Sequence, residues 1–320
     1  MTPDTPEARP DHGGNLDSAC VQFGGTRDDW IDLSTGINPV AYSLGDIPYR
    51  SWTDLPDQKA QDALLTAARK FWSVPDTLDI VATHGASALI AAIPGIFLGK
   101  SVQISGPTYN EHALAFRGAG WDVKDAASGQ DAKVLVHPNN PDGRLWSPQD
   151  LNCRQLVIDE SFADCSPSDS LLHSMNGDDH ITLKSFGKFW GLAGIRLGFA
   201  ISSVKTIARL RMRLGPWSVS GPALSIGATA LADQDWADQT RARLTQDAKR
   251  LDECLSKLGA QSVGGTTLFR LYDTQDAKSL QTQLAQHKIW SRVFPYNSRW
   301  LRLGLPAPAD WPRLEALTNE

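Results

Sequence analysis

The chain has 320 residues, 41% hydrophobic and 21% charged, enough to bury a large α/β core with a smaller partner domain. Its net charge of −5 is scattered, which argues against a nucleic-acid or anionic-membrane surface and for small ligands. Cys20, Cys153, Cys165 and Cys254 lie far apart without a C-x-x-C pair, so neither a disulfide framework nor a metal site is expected, and a reducing cytoplasm fits.

Taken in chain order, the first 45 or so residues contain Gly, Pro and Asn with little periodicity and suit an arm or lid over a site. The opening MTPDTPEARPDHGGN lacks the apolar core of a signal peptide, and ALIAAIPGIFLG, interrupted by Pro94, is too short to span a bilayer. The 11 tryptophans are expected in cores or a subunit interface. From about residue 76, strand-length apolar runs (101–105, 133–137, 154–159, 181–185, 198–202) alternate with helical patterns near 109–119 and after Ser203. That alternation predicts a doubly wound, mostly parallel sheet, whose ligands sit beyond the carboxyl ends of the strands. After Gly215-Pro216 and Gly221-Pro222 come a helical region at 223–258, the strand-like TTLFRLY, a helix near 276–287, and strand-like pieces at 289–293 and 300–305. The expected division is an arm with part of a small domain over 1–45, a large α/β domain over 46–215, and a small α+β domain over 216–320.

The most informative stretch is SFGKFWGLAGIRLGFA, residues 185–200. Lys188 follows the run 181–185 among small and aromatic residues, where partial desolvation lowers an amine's pKa and frees it to attack a carbonyl. Arg196, eight residues on, precedes the run GFAIS and can point back towards the same cavity. On residue type alone, a solvated loop lysine and a surface-paired arginine fit as well. In HGASALIAAI, Gly85 and Ala86 open an apolar helix whose first amides suit a phosphate, with Ser87 as a further hydroxyl or a cap. Asp159 closes the run RQLVID, and Asn140 lies in the turn HPNNPDG.

SFGKFWGLAGIRLGF resembles the lysine motif of the class I and II aminotransferases, closest to the branch of histidinol-phosphate aminotransferases and threonine-phosphate decarboxylases. The resemblance implies an aspartate-aminotransferase-like (fold type I) α/β large domain, a smaller α+β domain, and pyridoxal 5′-phosphate as cofactor. It implies Lys188 as the Schiff-base lysine and Ser185 and Arg196 as phosphate ligands, with Gly85, Ala86 and Ser87 as the phosphate cradle. It implies further that Asp159 bonds the pyridine nitrogen, that Asn140 bonds the phenolic oxygen, and that Tyr109 of GPTYNEH stacks on the ring. Three residues beyond Asp159, where many relatives have tyrosine, stands Phe162, which removes one donor to the phenolic oxygen.

For the substrate, HGGN and DLSTGINP resemble the N-terminal arm of threonine-phosphate decarboxylases, which implies substrate contacts from His12, Gly36 and Asn38. Arg292 and Arg302, on the two late strand-like pieces, carry forks that match carboxylate and phosphate oxygens. In relatives one such arginine holds the α-carboxylate and the other a distal anion; which does which stays open, and Arg299 is expected to be exposed. Relatives often carry a tyrosine near residue 55 that reaches the neighbouring subunit's cofactor phosphate; this chain has Leu55. The expectation is a cytoplasmic, homodimeric lyase decarboxylating threonine phosphate for cobalamin synthesis. The alternatives are an aminotransferase for histidinol phosphate or a similar amine, and a cofactor-binding protein without catalysis.

Overall fold

The computed structural model describes residues 12–125 and 129–318. α1 (Leu16–Phe23) is started by Asn15, whose side chain accepts from Ser18 N at 3.3 Å. It is a helix in a segment whose pattern announced none. β1 (Ile31–Asp32), α2 (Arg50–Thr53) and α3 (Gln58–Phe71) follow. The alternating unit then runs β2 (Leu78–Thr83), α4 (Ala86–Ala92), β3 (Ser101–Ile104), α5 (Asn110–Gly118), β4 (Asp122–Lys124), β5 (Ala132–Val136), β6 (Gln155–Asp159), β7 (Asp179–Ser185), β8 (Gly198–Ser203) and α6 (Val204–Leu214). The helical region expected at 223–258 is two helices, α7 (Gly221–Ala232) and α8 (Gln234–Lys257). Asp233 ends the first and caps the second by accepting from Trp236 N at 3.0 Å. The rest is β9 (Gln261–Gly265), β10 (Phe269–Asp273), α9 (Ala277–Gln286), β11 (Ile289–Trp290), β12 (Arg292–Phe294), β13 (Asn297–Gly304) and α10 (Trp311–Ala316). Among the described residues no helix is long and apolar enough to cross a membrane.

The large sheet has the order β2-β8-β7-β6-β5-β3-β4, and its neighbours run parallel except around β8, which is antiparallel to both β2 and β7. All five runs read as strands lie in it. β2 and β4 are additions: β4 is a three-residue edge with exposed ends, too short to carry a pattern. β8 runs backwards because the chain returns from Ser185 to Gly198 without the helical crossover that a parallel partner needs. This keeps the loop holding Lys188 at the carboxyl edge of the sheet.

The second sheet, β12-β13-β10-β9, is antiparallel. β1 pairs in parallel with β11, so the early segment docks on the late part of the chain. It then crosses to the Lys188 loop, where Asn38 N donates to Lys188 O at 3.0 Å and Tyr42 N to Trp190 O at 2.9 Å. The expected arm is therefore, over these residues, a strap hydrogen-bonded to both parts. Beneath the loop, Trp190 is stacked between Phe186 and Trp236, with both ring centroids at 5.1 Å. Trp190 is fully buried, whereas Trp52 and Trp217 are 64% and 54% exposed.

Candidate active site

Residues from separate elements meet at the carboxyl edge of the large sheet, as expected for an open α/β sheet. Gly85 follows β2, Tyr109 follows β3, Asn140 follows β5, Asp159 ends β6 and Ser185 ends β7. Arg196 reaches the same edge because β8 is reversed. Two cavities adjoin here, of about 160 and 360 Å³, and share Tyr109, Asn140, Phe162 and Lys188 in their walls. The smaller is also lined by Gly85, Ala86, Ser87, Asp159, Ser185 and Arg196, so every expected cofactor residue faces one space.

The sequence FGKFW explains how Lys188 is presented. Phe186, Phe189 and Trp190 are all buried and anchor the loop, leaving the lysine to turn into the cavity. Gly191 has φ +68°, and a Cβ there would meet Ala41 Cα at 2.7 Å, so only glycine lets the strap lie on this turn. The Lys188 amine has no hydrogen-bond or carboxylate partner among the described residues and sits 5.7 Å from the centre of the Phe162 ring. Burial first, then the neighbouring Arg302 and Arg196 charges, bring its pKa down to about 8 against the pull of Asp159. An amine so held has a far larger neutral fraction near neutrality than an ordinary lysine, and that neutral form can attack a carbonyl.

That arrangement has a stability cost. Folding must release a proton from Lys188 wherever the pH lies between about 8 and the ordinary value of 10.5, and must hold a disfavoured ammonium below that range. The penalty is therefore complete below pH 8 and vanishes as pH rises through 10.5. Cofactor-free Lys188→Met should be more stable than the native protein by about 1–3 kcal/mol at pH 7, the difference shrinking at alkaline pH. Urea unfolding of both proteins across this range measures it; a gap that is constant with pH would contradict the assignment.

Asp159 is buried, and burial by itself disfavours its charge. Hydrogen bonds from His112 Nε2 (2.8 Å) and from the Ser161 amide and hydroxyl (3.0 and 2.5 Å) outweigh that and hold the carboxyl below its usual range. His112 and Ser161 were not singled out from the sequence. The available signal was that Tyr109 and His112 stand three apart across the start of α5 and so share a face. Tyr109 is pushed up to about 12, by burial foremost, so its ring is a neutral face for stacking.

At the other end, Gly85 has φ +91°, and a Cβ there would lie 2.6 Å from Arg196 Nη2. The guanidinium is thus packed on the turn that opens α4. It donates to Ala193 O at 3.4 Å and meets no carboxylate among the described residues. A cation facing helix-start amides with Ser87 and Ser185 beside them is a seat for an anion. Of the two asparagines in HPNNPDG, Asn139 is fully buried and spent on its own turn, bonding Thr108, Pro107 and Asp142. Asn140 accepts from Arg302 through Oδ1, which leaves its NH₂ group for a ligand oxygen.

The larger cavity holds His12, Gly36, Arg292 and Arg302, four of the five residues expected to meet the substrate. Arg292 and Arg302 are direct partners across β12 and β13, so both project from one face. Arg302 is buried and also donates to Ser34 O at 2.7 Å; Arg292 is half-buried beside Phe294. His12 is exposed and pairs with Glu111 at 2.7 Å. Gly36 is required to be small, since a Cβ would lie 2.9 Å from Phe269 and 3.0 Å from Phe162. Arg299 is exposed and paired with Asp273, as expected. Asn38 departs from expectation: it is buried, absent from both cavity walls, and its side chain bonds Phe189 O, Val40 N and Arg243.

The model of "aminotransferase class I and II" matches residues 46–317. The chain belongs to that family. A threonine-phosphate decarboxylase of Pseudomonas aeruginosa is 39% identical, over 96% of this chain and 96% of that protein. Among solved structures, the L-threonine-O-3-phosphate decarboxylase of Porphyromonas gingivalis superposes with a TM-score of 0.76 at 20% identity, covering 90% of this chain and 98% of that one. The histidinol-phosphate aminotransferase of Sinorhizobium meliloti, in complex with pyridoxal-5′-phosphate, does so with a TM-score of 0.81 at 17% identity, covering 100% and 99%. The architecture is thus the fold-type I α/β arrangement of this family. The residues of the smaller cavity fit the cofactor in kind: an anion seat, a stabilised carboxylate, a neutral aromatic face and an amine of lowered pKa.

Proposed function

We propose that the chain decarboxylates L-threonine O-3-phosphate to aminopropanol phosphate, a step of cobalamin synthesis, with pyridoxal 5′-phosphate as cofactor. The observation that carries this is the arginine pair. Arg292 and Arg302 stand directly opposite each other across two strands and both line the larger cavity, so their forks can meet two anionic groups of one ligand. The 39% identity with a threonine-phosphate decarboxylase supports the same choice.

Bound in the smaller cavity, pyridoxal phosphate supplies an electron sink for a carbanion at the substrate α-carbon. Arg196, Ser185, Ser87 and the amides of Gly85 and Ala86 would hold its phosphate, and Asp159, kept ionised by His112 and Ser161, would hold a proton on the ring nitrogen. Asn140 would donate to the phenolic oxygen, and Phe162 offers no second donor there. Arg302, the arginine that bears on Lys188, is assigned the substrate carboxylate, and Arg292, further out, the phosphate. Lys188 Nζ is the acid that returns a proton to the substrate carbon, and the strap over Gly36 keeps water from the reacting face.

A homodimer in the cytoplasm completes the reading. Met212 and Trp217, 86% and 54% exposed, line a groove of about 660 Å³, and Leu55, 68% exposed, adjoins its wall residue Pro56, an apolar surface suited to a second copy. Four free thiols fit a reducing compartment. The deciding measurement is release of carbon dioxide from threonine phosphate with no 2-oxo acid present. A decarboxylase turns over indefinitely under those conditions, whereas an aminotransferase stops after one half-reaction. Sustained turnover only with histidinol phosphate and 2-oxoglutarate would replace this reading by the aminotransferase one.

A further inference from the structure

We infer that Asn38 and Arg243 are positioning residues for Lys188: they fix the backbone from which its amine projects and do not touch the substrate. The amine has no hydrogen-bond partner among the described residues, so its location depends on its own backbone and rotamer. It lies in the irregular return from β7 to β8, where no strand ladder or long helix fixes the peptide. Asn38 supplies what is missing. Its backbone N donates to Lys188 O at 3.0 Å, and its Nδ2 donates to the next carbonyl, Phe189 O, at 2.8 Å. One residue therefore holds both peptides that follow the lysine's Cα.

The amide can do this in only one orientation. Asn38 Oδ1 accepts from Val40 N at 3.0 Å and from Arg243 Nη2 at 2.6 Å, and a flipped amide would set donors against both. Arg243 is itself set by Asp247, one turn on in α8, at 2.9 Å. The line runs from α8 through a buried amide to the reacting loop, with Gly191 packed so closely that a Cβ would sit 2.8 Å from Asn38 O. A displacement of the order of 1 Å at such a point costs rate far more than binding, since substrate affinity comes from the arginines on the other side of the cavity.

This inference rests on Lys188 being the cofactor lysine, and the test separates the two. In the holoenzyme, Asn38→Asp keeps the Arg243 contact but cannot donate to Phe189 O, while Arg243→Ala frees the amide at a partly exposed site. Each should lower kcat by about tenfold with KM for threonine phosphate within about twofold, and shift the pH midpoint of the near-visible absorbance by about half a unit or more. Arg243→Lys should restore both. A raised KM with kcat intact would place Asn38 on the substrate and overturn the inference. A lowered melting temperature with kcat and the midpoint both unchanged would reduce the pair to a structural role and overturn it too. If wild type itself shows no borohydride-stable bond at Lys188, the cofactor-lysine reading fails and takes this one with it.

Discussion

Lys188→Ala is expected to retain pyridoxal phosphate only reversibly and to lose turnover by roughly 10³-fold or more. Two separate losses add. On the proposed reading the variant lacks both the nucleophile that fastens the cofactor and the acid that returns a proton to the substrate carbon. Arg196, Asp159 and the start of α4 are untouched, so equilibrium binding of the cofactor should survive in weakened form. Borohydride treatment followed by mass measurement reads the covalent bond directly: wild type gains a stable adduct on the peptide containing Lys188, and the variant gains none. An adduct on another lysine would show the assignment to be wrong. The nearest rival in the chain, Lys184, is buried and held at 2.6 Å by Glu160, away from both cavities.

Replacing the paired arginines should produce the second-largest effect, and an unequal one. Arg302→Ala removes a buried guanidinium that also holds Asn140 and Ser34 O, so kcat/KM should fall by a factor corresponding to about 3–5 kcal/mol, or 10² to 10⁴. Arg292→Ala, at a half-exposed position, should cost about 1–3 kcal/mol, and that cost should depend on the substrate. Against threonine phosphate the full loss is expected. Against threonine, which lacks the phosphate, Arg292→Ala should change little, because the partner of the missing side chain is missing as well. Equal losses on both substrates would mean that Arg292 does not meet the phosphate. Arg302→Ala should also lower stability without ligand, because it leaves the Asn140 and Ser34 acceptors without their buried donor.

How far the sequence reached can be followed through single residues. Runs such as RQLVID and GFAIS are apolar, of strand length and bounded by turn residues, and the structure has strands there. Lys188, Asp159, Asn140 and Arg196 could be named because a family resemblance fixed their spacing, and the folded chain brings them to one cavity. α1 and the short edge β4 carry too few residues for a period to emerge. The Arg292 and Arg302 pairing was legible as two arginines on late strands, but not as neighbours, because register depends on the turn and bulge between β12 and β13.

By itself, then, the sequence determined the five central strands and their order along the chain, the mostly parallel sheet and the chemical kinds of group available, since these follow from local periodicity and from residue type. Only the tertiary structure decided partners. His112 finds Asp159 because α5 brings its side chain to the carboxyl end of β6; Asn38 turns its amide to the Lys188 loop because Arg243 arrives from α8; and Lys188 acquires a pKa near 8 from burial beside Arg302 and Arg196. Burial, hydrogen-bond direction and the sum of nearby charges are properties of contacts between residues distant in the chain, and no local pattern encodes them.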